Sequence, residues 1–274
     1  MSKTSLWTYS RARLQLIKSN SHHYNWLFLP GGPGLGSESL KGLTEILDLP
    51  GNTWHVDFPG DGSNTTEDDA LAFSCWSQAL IEVVSALPNV VLVAHSSGGM
   101  FALATPELEA KLCGLVLMDS APNASWQQAF NEYINEHPIS DIEALQQLYI
   151  NNPSNEALKK LTIASTPYFS TDHCAQQMKL LMEHLPFNYK SHLWAAKYFD
   201  DTYQAQWIPH TALIFAGEHD HITPLSLFTE SREFQRENIL IREIKNGSHF
   251  PWYENPEQVR AVFEEFEARL TKIL

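Results

Sequence analysis

Ser96 stands where a hydroxyl can be made reactive. It lies in Val93-Ala94-His95-Ser96-Ser97-Gly98, after the apolar run 89–94 and ahead of a helical pattern through Met100, Phe101, Leu103 and Ala104. A sharp strand-to-helix turn strains its central residue and crowds the positions two before and two after it, which must be small. For Ser96 these are Ala94 and Gly98. For Ser97 they are His95 and Gly99, and a histidine is too large. Ser96 is therefore the candidate nucleophile. The competing reading is an ordinary loop serine that caps the following helix.

A serine attacking a carbonyl needs N–H donors aimed at the oxygen that gains charge. One donor is expected to be the backbone N–H of Ser97, directly after the nucleophile. The other is expected from Pro30-Gly31-Gly32-Pro33-Gly34, the turn that ends the apolar run 24–29. Gly32 is the better donor there, because Pro33 has no N–H. Gly-rich loops also cradle phosphates. A P-loop, however, needs Gly-Lys-Ser/Thr, and a dinucleotide fingerprint read from Gly34 and Gly36 needs glycine where Ser39 stands.

PGGPG at 30–34, DFPGDGSN at 57–64 and VAHSSGGM at 93–100 together resemble the α/β-hydrolase superfamily. The Gly-Gly-Pro-Gly loop is most similar to the proline-iminopeptidase-like branch. There a histidine usually leads the loop and a tryptophan stands beside the serine; here Pro30 and His95 hold those places. The resemblance covers nearly the whole chain outside residues 121–209. It implies an acid in a G-x-x-D-x-x-x-P segment, which Gly217 to Pro224 matches with Asp220. Asp119, after the run 112–118, is the alternative acid, since some members carry it there. His249, in a loop after the last apolar run and before the last helical pattern, is the expected general base, and the order Ser96, Asp220, His249 is the order of the superfamily. Plainer readings are a surface-turn aspartate and a solvated loop histidine.

On this reading His249 takes the Ser96 proton, an acyl-enzyme forms, and water releases the acid. No cofactor is required. His219, Asp220 and His221 make a poor metal site, because three neighbours in one turn rarely converge on one ion and no H-E-x-x-H partner exists. A small-molecule ester or amide is the expected substrate. A lyase or acyltransferase using the same three residues, and a silent receptor using the pocket, are the other classes the fold would host.

These residues need a frame. Short apolar runs bounded by Gly, Pro or Asn predict strands at 24–29, 53–58, 89–94, 112–118, 211–216 and 238–244, and the alternating stretch 8–18 predicts an edge strand or hairpin arm. Helical patterns fall between them at 38–48 and 70–87, and at 256–274, where Val259, Val262, Phe263, Phe266 and Leu270 form an apolar stripe. The expected fold is α/β: a mostly parallel central sheet with helices on both faces. Residues 1–120 and 210–274 form the core domain. Residues 121–209, rich in aromatics and without a convincing strand, are expected to be an inserted helical cap. Its aromatics, among them Trp126, Phe130, Tyr168 and Phe187, are expected to divide between packing the cap and lining an acyl pocket.

With 43% hydrophobic residues, the 274-residue chain can bury a large core. The net charge of −14 argues against nucleic acid or an anionic membrane as partner. Cys75, Cys113 and Cys174 form no C-x-x-C pair and suit reduced thiols in a cytoplasmic protein. No apolar run approaches the length needed to span a bilayer, and the first residues carry no secretory signal. The oligomeric state is left open.

Overall fold

The structure, a computed structural model, describes residues 4–65 and 72–270. Its strands are β1 (Ser5–Trp7), β2 (Arg13–Ser19), β3 (Asn25–Leu29), β4 (Asn52–Asp57), β5 (Val90–His95), β6 (Leu112–Met118), β7 (Ala212–Gly217) and β8 (Ile239–Ile244). They form one sheet in the order β1-β2-β4-β3-β5-β6-β7-β8. β2 is antiparallel to both β1 and β4, which makes the alternating stretch 8–18 part of a hairpin at the sheet edge. Every pairing from β4 to β8 is parallel.

The helices are α1 (Lys41–Ile46), α2 (Trp76–Ser85), α3 (Ser97–Leu103), α4 (Trp126–Glu136), α5 (Ile142–Asn151), α6 (Asn155–Ala164), α7 (Ala175–His184), α8 (Tyr189–Tyr198), α9 (Ser226–Thr229), α10 (Pro251–Glu254) and α11 (Pro256–Leu270). Residues 70 and 71 of the predicted second helix and 271–274 of the last one lie outside the described residues.

Side chains alternate across the sheet. Phe28, Val93, Met118 and Phe215 face one apolar layer, shared with Leu43 of α1 and with Val259, Phe263 and Phe266 of α11. Leu29, Leu92, Leu117 and Ile214 face the other, shared with Leu80 of α2 and Phe101 of α3. Burial on both faces explains why the parallel strands read as unbroken apolar runs. The five-residue stripe expected on the last helix is buried in full.

β6 and β7 are neighbours in the sheet, yet the chain between them contains α4 to α8 and no strand. An isolated bridge between Asn123 and Gln204 ties the two ends of this helical insertion together. Its apolar side chains continue the layers of the sheet. Leu158, Met178, Met182 and Phe187 join the layer of Phe28, while Phe199, Tyr203 and Trp207 join that of Leu29. Among the described residues no helix is long and apolar enough to cross a membrane.

Parallel strands end on the same edge of a sheet. The segments that follow β3, β5, β6, β7 and β8 therefore gather Gly32, Ser96, Asp119, Asp220 and His249 at the carboxyl edge, where open α/β sheets bind ligands.

Candidate active site

Ser96 joins β5 to α3 with φ 51° and ψ −125°, a strained conformation for a residue with a side chain. Its N–H donates to the Met118 carbonyl at 2.9 Å, and its own carbonyl accepts from the Ser120 hydroxyl at 2.8 Å. The demand for small neighbours is visible in contacts. A Cβ on Gly98 would meet the Pro30 carbonyl oxygen at 2.4 Å, and one on Gly31 would meet the Ser96 Cβ at 2.6 Å. The turn and the 30–34 loop thus touch backbone to backbone. Ser97 Oγ is buried without a hydrogen-bond partner.

His249 Nε2 lies 3.1 Å from Ser96 Oγ. Its Nδ1 lies 3.0 and 3.1 Å from the two Asp220 oxygens. A carboxylate only accepts, so Nδ1 carries the proton and Nε2 is left to accept from the serine hydroxyl. Burial pushes the Asp220 carboxyl up, but its electrostatic attraction to His249 and hydrogen bonds from His249 and Thr223 outweigh it and hold it below the ordinary range. Such a line of groups can withdraw a serine proton and stabilise the imidazolium that results.

The loops that carry these groups are laced together. His219 N–H donates to the Gly247 carbonyl at 2.7 Å, and Ser248 Oγ donates to the His219 carbonyl at 3.0 Å. The Glu254 carboxylate accepts from the Ser248 N–H and, at 2.7 Å, from the Thr171 N–H of the helical insertion. His95, beside the serine, is buried; its Nε2 lies 2.9 Å from the His249 carbonyl, and its ring packs on those of His249, Phe250 and Trp252.

Asp119 is not bonded to His249 Nδ1. Its Oδ1 accepts from the Gly217 N–H at 2.9 Å, and its Oδ2 has no partner. The ligand-type atoms of Asp119, Asp220 and His249 nonetheless lie within 4.8 Å of one another. Burial, then the Asp220 charge, raise the Asp119 carboxyl well above its ordinary range. The flanking imidazoles of the 219–221 turn stay apart, with ring centroids separated by 6.5 Å, and His221 instead stacks on Tyr133 of α4 at 3.8 Å.

The 30–36 loop is pinned from below by buried acids. Asp61 Oδ1 accepts from the N–H groups of Gly34 at 2.8 Å and Gly62 at 3.0 Å. Asp57 accepts from the N–H and hydroxyl of Ser37 and pairs with Arg13 at 2.7 Å. Burial, reinforced by the Asp57 charge, pushes Asp61 up to about 7. From the insertion, the Asn188 N–H donates to the Gly34 carbonyl at 2.8 Å and its side-chain amide donates to the Gly60 carbonyl.

Ser96, His249, Gly32 and Ser97 all line one cavity of about 340 Å³, a size typical of small-molecule sites. Its wall is chiefly apolar, with Trp126, Phe130, Phe169 and Phe187 from the insertion. The described lining residues include no lysine or arginine. Asp200 is the acid on that wall; burial, then Asp201, hold it up at about 6.

The sequence reading missed His95, Asp61 and Asn188. Asp61 had a signal in the Pro-Gly-Asp-Gly turn after β4. The other two had none, because their partners are more than 100 residues away in the chain.

The profile of the Alpha/beta hydrolase family matches residues 26–262. A search of curated proteins gives no match. Solved structures similar in fold include a proline iminopeptidase-related protein from Thermus thermophilus (TM-score 0.74, 19% identity, all of both chains covered). An esterase from Exiguobacterium antarcticum aligns with TM-score 0.71 and 15% identity over 97% of this chain and 99% of its own. An epoxide hydrolase from Bacillus megaterium aligns with TM-score 0.67 and 17% identity over 96% and 99%.

Proposed function

The chain belongs to the alpha/beta hydrolase family, and from that premise we propose that it is a serine hydrolase cleaving an ester or amide bond of a small molecule. The observation that carries this reading is the unbroken line Ser96 Oγ, His249, Asp220, with spacings of 3.1 and 3.0 Å, opening on an apolar cavity. His249 accepts the serine proton as the oxygen attacks the carbonyl carbon. Asp220 holds the imidazole in the required tautomer and offsets its new charge.

The N–H groups of Gly32 and Ser97 receive the oxyanion. Both residues border the cavity, and Ser97 begins α3, whose first N–H groups have no acceptor within the helix. The imidazolium then protonates the leaving alcohol or amine. Water, deprotonated by the same histidine, releases the acid and restores the serine. Residues 121–209 act as a cap that selects the acyl group. Their apolar wall suits an uncharged chain, and the described lining offers no lysine or arginine to an anionic one.

Ser96→Ala is expected to abolish hydrolysis of p-nitrophenyl esters and labelling by a fluorophosphonate, with the melting temperature preserved. Ser97→Ala is expected to keep both activities. Labelling that survives in Ser96→Ala and is lost in Ser97→Ala would place the nucleophile one residue later.

A further inference from the structure

Asp119 takes no part in the chemistry just described, yet it is built into the site. It follows β6 in a left-handed conformation, φ 45°, which is costly for a residue with a side chain. The conformation is held by its N–H bond to the Phe215 carbonyl at 2.8 Å and by the Gly217 N–H on Oδ1 at 2.9 Å. The side chain is fully buried, and Oδ2 meets neither a donor nor solvent. An ionised carboxylate with a bare oxygen beside a second carboxylate is expensive on both counts. A proton on Oδ2 removes the difficulty: the orphan acceptor becomes a donor, and the acceptor beside it is Asp220. Burial and the Asp220 charge both favour that proton.

We propose that Asp119 is a reserve positioning acid: neutral at rest and donating to the Asp220 carboxylate, it ionises and orients His249 when the Asp220 charge is lost. The geometry for the exchange is present, since the polar atoms of Asp119, Asp220 and His249 sit within 4.8 Å of one another. Removing the Asp220 carboxylate takes away the acceptor of the Asp119 proton and the like charge that kept it there. The proton passes to solvent, and the Asp119 carboxylate is left as the anion grouped with His249. The inference rests on the reading of Ser96, His249 and Asp220 given above.

The test compares wild type, Asp119→Asn, Asp220→Ala and the double variant, using kcat and KM for p-nitrophenyl butyrate and the rate of fluorophosphonate labelling. Asp119→Asn keeps an acceptor for Gly217 and a donor toward Asp220 but cannot ionise. Alone it is expected to lower kcat no more than about threefold. Asp220→Ala is expected to lose roughly 10²-fold and the double variant roughly 10⁴-fold, the loss typical of a triad without a working acid, with KM little changed. Thermal melts of all four proteins accompany the kinetics, which are read at a temperature where each remains folded. The proposal is overturned if the double variant falls less than tenfold below Asp220→Ala, or if Asp119→Asn alone costs as much as Asp220→Ala. Activity that survives Ser96→Ala would instead overturn the underlying hydrolase reading, and is measured first.

Discussion

The Nε2–H of His95 donates to the backbone carbonyl of His249 across 2.9 Å, so the residue before the candidate nucleophile holds the loop of the candidate base. Burial and the neighbouring His249 charge push His95 down to about 3, which keeps it neutral and fixes it as this donor. His95→Phe preserves a ring among Phe250 and Trp252 but removes the donor. It is expected to lower kcat about tenfold with a smaller change in KM, since small misplacements of a base are costly. His95→Gln returns an N–H at similar reach and is expected to recover most of the loss. Steady-state kinetics on the two variants decide the point, and an unaltered kcat in His95→Phe removes this role.

Gly31 is where the 30–34 loop meets the turn at Ser96. An added Cβ would sit 2.6 Å from the Ser96 Cβ and 2.9 Å from the His95 carbonyl oxygen, both on a backbone that cannot yield cheaply. Gly31→Ala is expected to cost about 1–3 kcal/mol, as overpacking does, and to reduce kcat/KM by at least tenfold. Urea unfolding reads the first effect and ester hydrolysis the second. A variant of native stability and activity would mean that the two loops can part without penalty.

Asp61 links stability to pH. Its carboxyl sits at about 7 in the folded chain, above the ordinary 3.8. The native state therefore holds this proton more tightly than the unfolded state. Its favourable contribution is complete below about pH 4 and is lost as pH rises through 7. Asp61→Asn retains the Oδ1 acceptor used by the Gly34 and Gly62 N–H groups and has nothing to ionise. Relative to wild type, the variant is expected to gain on the order of 2–4 kcal/mol between pH 4 and pH 8, because each tenfold difference in proton affinity is worth about 1.4 kcal/mol. Denaturant unfolding at both pH values measures it; equal differences at the two would show that Asp61 stays in one protonation state.

Asn188 binds the helical insertion to the loops beneath it. Its N–H and amide reach Gly34 and Gly60, while its Oδ1 accepts from the Lys190 N–H at 3.0 Å and caps α8. Asn188→Ala loses the cap and leaves the Gly60 carbonyl unpaired, at an expected cost of about 1–3 kcal/mol. A decrease in kcat/KM is expected alongside, because Gly34 belongs to the loop that carries Gly32. Asn188→Ser, which restores a cap oxygen but not the reach to Gly60, should fall between the two in thermal melts and in kinetics.

The sheet was legible because burial on both faces leaves a plain trace: runs such as Val90 to Ala94 or Leu112 to Met118 have no polar residue to interrupt them. The sharp turn at Ser96 was legible for a steric reason, since a Cβ on Gly98 would meet the Pro30 carbonyl oxygen at 2.4 Å. The partner of His249 was less so. Asp119 and Asp220 each follow a strand; the Gly217–Pro224 segment favours Asp220 by resemblance, and the structure puts Asp220 on His249 Nδ1 and Asp119 on the Gly217 N–H. Asn188 and His95 were out of reach, because a hydrogen bond to a carbonyl depends on where a distant backbone passes and not on the identity of the residue there.

The buried side chains of the insertion are continuous with the layers on the sheet. Leu158, Met182 and Phe187 belong to the layer that covers Phe28 and Met118, and Phe199 and Trp207 to the one that covers Leu29. Swinging it away as a rigid flap would wet both layers, at about 25 cal/mol for each Å² uncovered. Excising the helices of the insertion would uncover the apolar side chains they share with the two layers, while α1, α2, α3 and α11 would still lie on the faces of the sheet.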